Sequence, residues 1–170
     1  MKNKLIILRG PSASGKTTIA EKLFELAKKK TALIQQDHYR FIFKPSGGGS
    51  KPNSEVIHKM IEHNVSTALL AGYDVILEGI LTVKSYQNII ERIIDSHEGE
   101  SYIFYFNTSL EETIRRHQSK KGNFNYGSEE MKQWYADSQK SEHKLEILIP
   151  EDYSINQSID KIIKTSKINI

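Results

Sequence analysis

Five short strand-like runs, separated by longer amphipathic stretches, constrain the fold of this 170-residue chain more than any other feature. Most of these runs are continuously apolar, which is typical of a strand buried on both faces of a sheet. Strands of this kind that alternate with helices form a parallel sheet covered by helices on both faces. The sequence therefore predicts one α/β domain over residues 1–170, with strands at 5–8, 31–36, 74–78, 102–106 and 146–149.

Helical periodicity and capping signals place the helices between these strands. Ser109 and Ser154 each open a capping box, the sequence pattern that begins a helix. Two polar, glycine-containing stretches, 43–53 and 119–127, have too little apolar surface to offset the entropy lost on ordering, so we expect them to be the least ordered loops of the ligand-free protein. The single tryptophan, Trp134, lies on the helix after the second loop, and we interpret it as core packing. The predicted helices cover 15–30, 54–71, 82–97, 109–118 and stretches beginning at 128 and 154.

Composition narrows the class of protein further. Lysine and arginine total 24 and the acidic residues total 21, so the formal net charge of +3 argues against a nucleic-acid coat but permits a local basic patch. The absence of cysteine excludes disulfides, thiolate metal sites and cysteine nucleophiles. No stretch approaches the roughly 20 apolar residues that span a bilayer, and the first apolar run is too short for a signal peptide. We therefore expect a cytoplasmic protein with no membrane partner, and the sequence carries no signal for an oligomeric state.

Residues 10–17 form the motif that says most about chemistry. They match Gly-x-x-x-x-Gly-Lys-Ser/Thr at every fixed position, and they lie between a buried strand and an amphipathic helix. The glycines let successive backbone N–H groups converge on phosphate oxygens, and the following helix adds its positive end. Lys16 supplies a point charge to the β- and γ-phosphates, and the Thr17 hydroxyl is a predicted ligand of Mg²⁺. The motif therefore predicts that ATP and Mg²⁺ bind at Gly10, Ser12, Ala13, Ser14, Gly15, Lys16, Thr17 and Thr18.

Two acidic residues follow or end predicted strands, and so lie at the same rim of the sheet as the phosphate-binding loop. Asp37 and Arg40 follow the second strand, where a carboxylate accepts the proton of an acceptor hydroxyl and a guanidinium binds an anionic acceptor group. The alternative is that Asp37 caps a short helix and Arg40 is solvated. Glu78 ends the third strand, where it holds Mg²⁺ through water, contacts the acceptor or is a solvated strand end. We predict a catalytic role for Asp37 and substrate contacts for Arg40 and Glu78.

A basic cluster ends the helix that begins near residue 109. Arg115, Arg116 and Lys120 lead into the loop 119–127, which we interpret as a lid that brings cations over the transferring phosphate. The alternative is a basic helix end paired at i,i+4 spacing with the two glutamates of its first turn. Both interpretations can hold, in a closed and an open state, and Arg116 is the predicted catalytic member.

Together these motifs resemble those of the small P-loop kinases, in particular the group containing zeta toxin-like kinases, chloramphenicol phosphotransferase and polynucleotide 5′-kinases. The resemblance covers nearly the whole chain. It implies a P-loop NTPase fold with a five-stranded parallel sheet in the order 2-3-1-4-5 and ATP-Mg²⁺ at the carboxyl ends of the strands. It also implies that Asp37 is the general base, Arg40 contacts the acceptor, Arg116 lies over the phosphates, Lys120 replaces a second lid arginine and 150–154 borders the adenine.

The function favoured at this point is a single kinase domain, with a lid near 119–127, that moves the γ-phosphate of ATP to a hydroxyl of a small-molecule acceptor. A polynucleotide 5′-hydroxyl kinase is the second choice, favoured by lysines near the rim and disfavoured by the modest net charge. A third alternative is a toxin-type or regulatory nucleotide-binding protein that is held by a partner protein.

Overall fold

Five parallel strands form the sheet of this protein in the computed structural model, which describes residues 2–43, 54–119 and 127–170. The strands are β1 Lys4–Arg9, β2 Thr31–Gln35, β3 Asp74–Gly79, β4 Glu100–Asn107 and β5 Glu146–Pro150. The helices are α1 Lys16–Leu26, α2 Gln36–Ile42, α3 Ser54–Leu70, α4 Val83–Ser96, α5 Leu110–Ser119, α6 Ser128–Asp137 and α7 Ile155–Ser166. The strand order is β2-β3-β1-β4-β5, so the fold expected from the resemblance is confirmed.

The middle strand β1 owes its position to a run that is apolar on both faces. Leu5 and Ile7 pack on one face of the sheet with α3 and α4, and Ile6 and Leu8 pack on the other with α1 and α7. All four side chains are fully buried, and each contributes roughly 1.5–3 kcal/mol relative to an exposed position. Because parallel strands end at one edge, the residues that follow β1, β2 and β3 meet at the same rim.

Some boundaries differ from the sequence-based expectation. α1 ends at Leu26 rather than near residue 30, because the backbone N–H of Lys28 donates to the carbonyl oxygen of Asn169 at 3.1 Å instead of continuing the helix. β2 ends at Gln35, and α2 follows it at once. Asp37 therefore lies in the first turn of a helix, where the helix dipole stabilises a carboxylate.

The two stretches expected to be the least ordered fall almost entirely outside the described residues. Only Phe43, Ser119 and Gly127 of them are described, and Lys120 is outside as well. Over residues 2–43, 54–119 and 127–170, no helix combines the length and apolar character that crossing a membrane requires.

Candidate nucleotide and acceptor sites

The predicted phosphate-binding loop joins β1 to α1, and its backbone takes left-handed conformations that favour glycine. Gly10 has a φ of 147°, and a Cβ added there would lie 2.9 Å from the carbonyl oxygen of Phe106. Gly15, the N-cap of α1, has a φ of 98°. Ala13 has a φ of 59°, in a region that costs a non-glycine residue roughly 1–2 kcal/mol. Left-handed residues within a loop turn backbone N–H groups into one concavity, which favours an anion.

Two polar side chains of the same loop are positioned to bind an anion. The Ser14 hydroxyl is buried and has no hydrogen-bond partner among the described residues. Lys16 is also buried, and its Nζ donates to the carbonyl oxygen of Pro11 at 2.8 Å. A phosphate group would offer an acceptor to the hydroxyl and a stronger, charged partner to the ammonium. The other predicted loop contacts are at least partly exposed: Ser12, Thr17 and Thr18.

Glu78, near the carboxyl end of β3, contacts the first turn of α1. Its Oε1 accepts a hydrogen bond from the Thr17 hydroxyl at 3.1 Å, and its side chain is buried, so the alternative of a solvated strand end is wrong. Burial raises the pKa of Glu78, while the charge of Lys16 and the bond from Thr17 oppose that rise. A carboxylate and a hydroxyl are hard oxygen donors, the kind that Mg²⁺ combines with phosphate oxygens. This donor pair fits the predicted cation, and in the described part of the chain no cluster of three His, Asp or Glu side chains competes with it.

Asp37 and Arg40 lie one turn apart on α2. The Oδ1 of Asp37 and an Nη of Arg40 are 3.5 Å apart, and both side chains are largely exposed. A pair of this kind adds about 0–1 kcal/mol, so it does not hold the fold. The buried residue before it, Gln36, anchors the helix by accepting a hydrogen bond from the backbone N–H of Leu81 at 3.2 Å. The structure thus brings Asp37 to the predicted rim, where its negative charge contributes to the raised pKa of Glu78.

A cavity of about 340 Å³ opens beside α2 and is lined by residues of α2, α3, α4 and α6. We call it the helix cavity. The rings of His58 and Tyr86 meet edge to face in its wall, with centroids 4.4 Å apart. Burial lowers the pKa of His58 and raises that of Tyr86, so both side chains are neutral at neutral pH. The wall consists of Gln36, Arg40, Ser54, Ile57, His58, Ile80, Thr82, Ser85, Tyr86, Trp134 and Asp137.

Trp134 belongs to this cavity wall, so its interpretation as core packing is wrong. It is half-buried and, among the residues that the structure describes, belongs to neither hydrophobic core cluster. Sequence reasoning also missed His58, Tyr86 and Asp137. No motif marks these residues, and the signal that could have found them is topological, since they lie on helices that the chain order brings to one rim.

Arg116 lies beside the phosphate-binding loop rather than in solvent. Its two Nη atoms donate to the carbonyl oxygens of Ser14 at 3.1 Å and Glu151 at 2.9 Å, and its Nε donates to Glu112 at 2.6 Å. Glu112 also accepts from the exposed Arg115, which pairs at i,i+3 rather than at the expected i,i+4 spacing. The bonds from Arg115 and then Arg116 lower the pKa of Glu112 to about 2. The structure therefore joins α5 to the phosphate-binding loop through Arg116.

A narrow cleft of about 50 Å³ lies next to Arg116, between the phosphate-binding loop and the connection from β5 to α7. Three of its lining residues, Pro150, Glu151 and Tyr153, belong to the stretch 150–154 that the resemblance places at the adenine. The cleft is lined by Ser14, Gly15, Ile19, Phe106, Thr108, Arg116, Ile149, Pro150, Glu151, Tyr153, Ile155 and Ser158.

Known proteins resemble this chain in sequence and in fold. A protein family described as an AAA domain matches residues 5–143, so the chain belongs to that family. A tRNA dimethylallyltransferase of Malacoplasma penetrans (strain HF-2) is 31% identical over 111 residues, which are 65% of this chain. The chain spans 34% of the length of that curated relative.

Two solved structures show how widely the fold is used. An unliganded sugar kinase from Janibacter sp. HTCC2649 has a TM-score of 0.71 at 17% identity, over 99% of this chain and 96% of that chain. A chain of the Pnkp1/Rnl/Hen1 RNA repair complex has a TM-score of 0.64 at 20% identity, over 80% of this chain and 44% of that chain. Family and fold together define an AAA-domain protein with the P-loop NTPase fold.

Proposed function

We propose that this protein is a kinase that transfers the γ-phosphate of ATP to a hydroxyl group of a small-molecule acceptor. The observation that carries the proposal is the juxtaposition of the P-loop, with Thr17 and Glu78, and the helix cavity at the same rim of the sheet. A P-loop alone accounts only for nucleotide binding. A lined cavity beside α2, the helix that bears Asp37, provides a place for a second substrate.

In this proposal the carboxylate of Asp37 accepts the proton of the acceptor hydroxyl as its oxygen attacks the γ-phosphorus. The bond between that phosphorus and the β–γ bridging oxygen breaks, and ADP leaves with the oxygen. Lys16 offsets charge on the phosphates, Arg40 contacts the acceptor, and Arg116 exchanges its carbonyl partners for phosphate oxygens. Catalysis of this kind depends mainly on positioning and electrostatic stabilisation.

In the proposed enzyme Thr17 would bind Mg²⁺ directly, and Glu78 would orient the Thr17 hydroxyl through their hydrogen bond. An ion held there would supply positive charge against the charge that develops on the β- and γ-phosphate oxygens. Of the two roles open to Glu78, the hydrogen bond from Thr17 favours the cation over the acceptor.

The helix cavity favours a compact, hydroxylated acceptor. Its volume of about 340 Å³ lies within the range of about 300–1,000 Å³ that is usual for small-molecule sites. The amide of Gln36 and the hydroxyls of Thr82 and Ser85 offer hydrogen bonds to hydroxyl groups, and the indole of Trp134 offers an apolar surface. The names of the tRNA-directed relative and of the RNA repair complex make a nucleic-acid 5′-hydroxyl the second acceptor class to test.

ADP release in the presence of candidate acceptors tests the proposal. The panel consists of sugars, polyols, nucleosides, hydroxylated antibiotics and a 5′-hydroxyl oligonucleotide, each with the native protein and with Asp37→Asn as the control. We expect a small hydroxylated compound to raise ADP release well above the rate in its absence, and the variant to lose that increase. Stimulation by the oligonucleotide alone, with a steep dependence on salt, would instead establish a polynucleotide kinase.

A further inference from the structure

A buried arginine stands directly before the P-loop and has no part in the proposed chemistry. Arg9 is the last residue of β1, and its side chain is 2% exposed. Its Nη1 lies 2.6 Å from Oε2 of Glu146, which is 3% exposed and lies 137 residues later in the chain. Taking two charges out of water costs free energy, and a well-packed apolar pair is often as stable. Stability is therefore a weak explanation for this pair, and its other contacts point to a role in positioning.

The remaining donors of Arg9 reach two segments that flank the helix cavity. Its Nε donates to the carbonyl oxygen of Leu81 at 3.1 Å, and its Nη2 donates to that of Gln139 at 2.9 Å. Glu146 in turn accepts hydrogen bonds from the backbone N–H of Ser141 at 2.6 Å and from the Ser141 hydroxyl at 2.7 Å. One guanidinium and one carboxylate thus hold the turn after β3 and the connection between α6 and β5.

Each of these segments continues into a wall of the cavity. Leu81 has a φ of 44°, and its backbone N–H donates to the buried Gln36, one of the lining residues. Its sequence neighbours Ile80 and Thr82 also line the cavity. On the other side, Gln139 lies two residues beyond Asp137, the lining residue that ends α6. The contacts of Arg9 therefore connect three cavity walls to the strand that leads into the P-loop.

We propose that Arg9 and Glu146 are positioning residues that hold the cavity walls, α6 above all, in register with the P-loop. The inference rests on the proposed function only in taking the helix cavity as the acceptor site. The geometry itself concerns where α6 lies relative to β1, and that can be measured without an acceptor.

Trp134 supplies the measurement, because it is the single tryptophan of the sequence and lies on α6 in the cavity wall. Arg9→Lys keeps the positive charge but cannot make the three directed contacts of a guanidinium. Glu146→Gln keeps the shape of the partner and removes its charge. In both variants we expect tryptophan emission to shift to the red and acrylamide to quench it more strongly, while adenylyl imidodiphosphate binds with unchanged affinity.

Asp74→Asn is the matched control. Asp74 is as deeply buried, but at the opposite end of the sheet, where it accepts a hydrogen bond from the backbone N–H of Lys4 at 2.8 Å. We expect this variant to melt at a lower temperature with unchanged tryptophan emission and quenching. The proposal is overturned if Arg9→Lys and Glu146→Gln lower the melting temperature without moving the tryptophan signals, or if nucleotide affinity falls together with them. Failure to find an acceptor would count against the proposed function and would leave these results unaffected.

Discussion

Replacing Glu78 by glutamine is expected to weaken the coupling between Mg²⁺ and nucleotide binding without disturbing the fold. The amide keeps the length of the side chain and still offers an oxygen to the Thr17 hydroxyl, which lies 3.1 Å from the carboxylate in the native protein. The substitution removes the negative charge, which is buried between β3 and α1. It therefore separates the effect of the charge from the effect of packing.

The expected size of the effect follows from the position of Glu78 behind Thr17. A carboxylate that orients a metal ligand through a hydrogen bond typically contributes about 10–100-fold to metal affinity. That factor corresponds to about 1.4–2.7 kcal/mol. We therefore expect the factor by which Mg²⁺ tightens the binding of an ATP analogue to fall by about 10–100-fold. Without Mg²⁺ the analogue should bind the variant at least as tightly, since a negative charge beside its phosphates has been removed.

The pH dependence of stability provides a second measurement of the same charge. Because burial holds the pKa of Glu78 above its unfolded value, the folded protein keeps a proton that the unfolded chain has released. Stability is therefore lost as the pH rises from the ordinary carboxyl range through the raised pKa. Glu78→Gln lacks this loss, so its melting temperature should rise relative to that of the native protein across the same window.

Calorimetric titration with adenylyl imidodiphosphate, with and without Mg²⁺, measures the coupling, and thermal denaturation across the pH window measures the stability. Asp74→Asn serves as the control, since it alters a buried carboxylate at the other end of the same strand. An unchanged Mg²⁺ effect in Glu78→Gln would refute the assignment of Glu78 to the cation. An equal loss in Asp74→Asn would show that the effect reflects the packing of β3 rather than the charge at its carboxyl end.

Three further predictions concern the P-loop and the two helices beside it. Lys16→Ala should abolish nucleotide binding in the same titration, because the positive charge that faces the phosphates is removed. It should also lower the melting temperature slightly, because the Lys16 side chain is buried. Asp37→Asn should leave the melting temperature and ATP affinity unchanged, because the pair of Asp37 with Arg40 is exposed. The same variant should reduce the rate of phosphate transfer by about 10²–10⁴-fold. A parallel loss of ATP affinity would show that Asp37 has a structural role instead. The folded pKa of Glu112 is lowered to about 2. The hydrogen bonds of its carboxylate therefore stabilise the fold above the unfolded carboxyl pKa, and this stabilisation is lost as the pH falls toward 2. We expect Glu112→Gln to lower the melting temperature at pH 7 and to have less effect near pH 2.

The strands and the P-loop could be predicted because their signals are local. A continuous apolar run indicates a strand that is buried on both faces. The loop motif is contained in eight residues, 10–17. The order of the strands was available only through the resemblance, since an apolar run does not specify its neighbours. The structure confirms that order, with β1 between β3 and β4.

The helix α2 could not be predicted with the same certainty, because a tertiary contact ends the strand before it. Gln36 is buried against Gly79, where an added Cβ would lie 2.4 Å from the Gln36 side chain. Because Gly79 of β3 has no side chain, there is room for Gln36, the residue that begins α2. Nothing within residues 31–42 reveals this contact, and so the position of Asp37 within a helical turn depends on a glycine more than 40 residues away.

The helix cavity could not be predicted from the sequence, and Trp134 illustrates the reason. A half-buried aromatic residue on an amphipathic helix has the same periodicity whether it meets a core or lines a cavity. The difference is set by where α6 docks, and that depends on Arg9 and Glu146, which meet across 137 residues of chain. A charged residue beside an apolar run gives no sign that it is buried. Local patterns thus identify the predicted phosphate-binding half of the site, whereas the half that would choose an acceptor is assembled by long-range polar contacts.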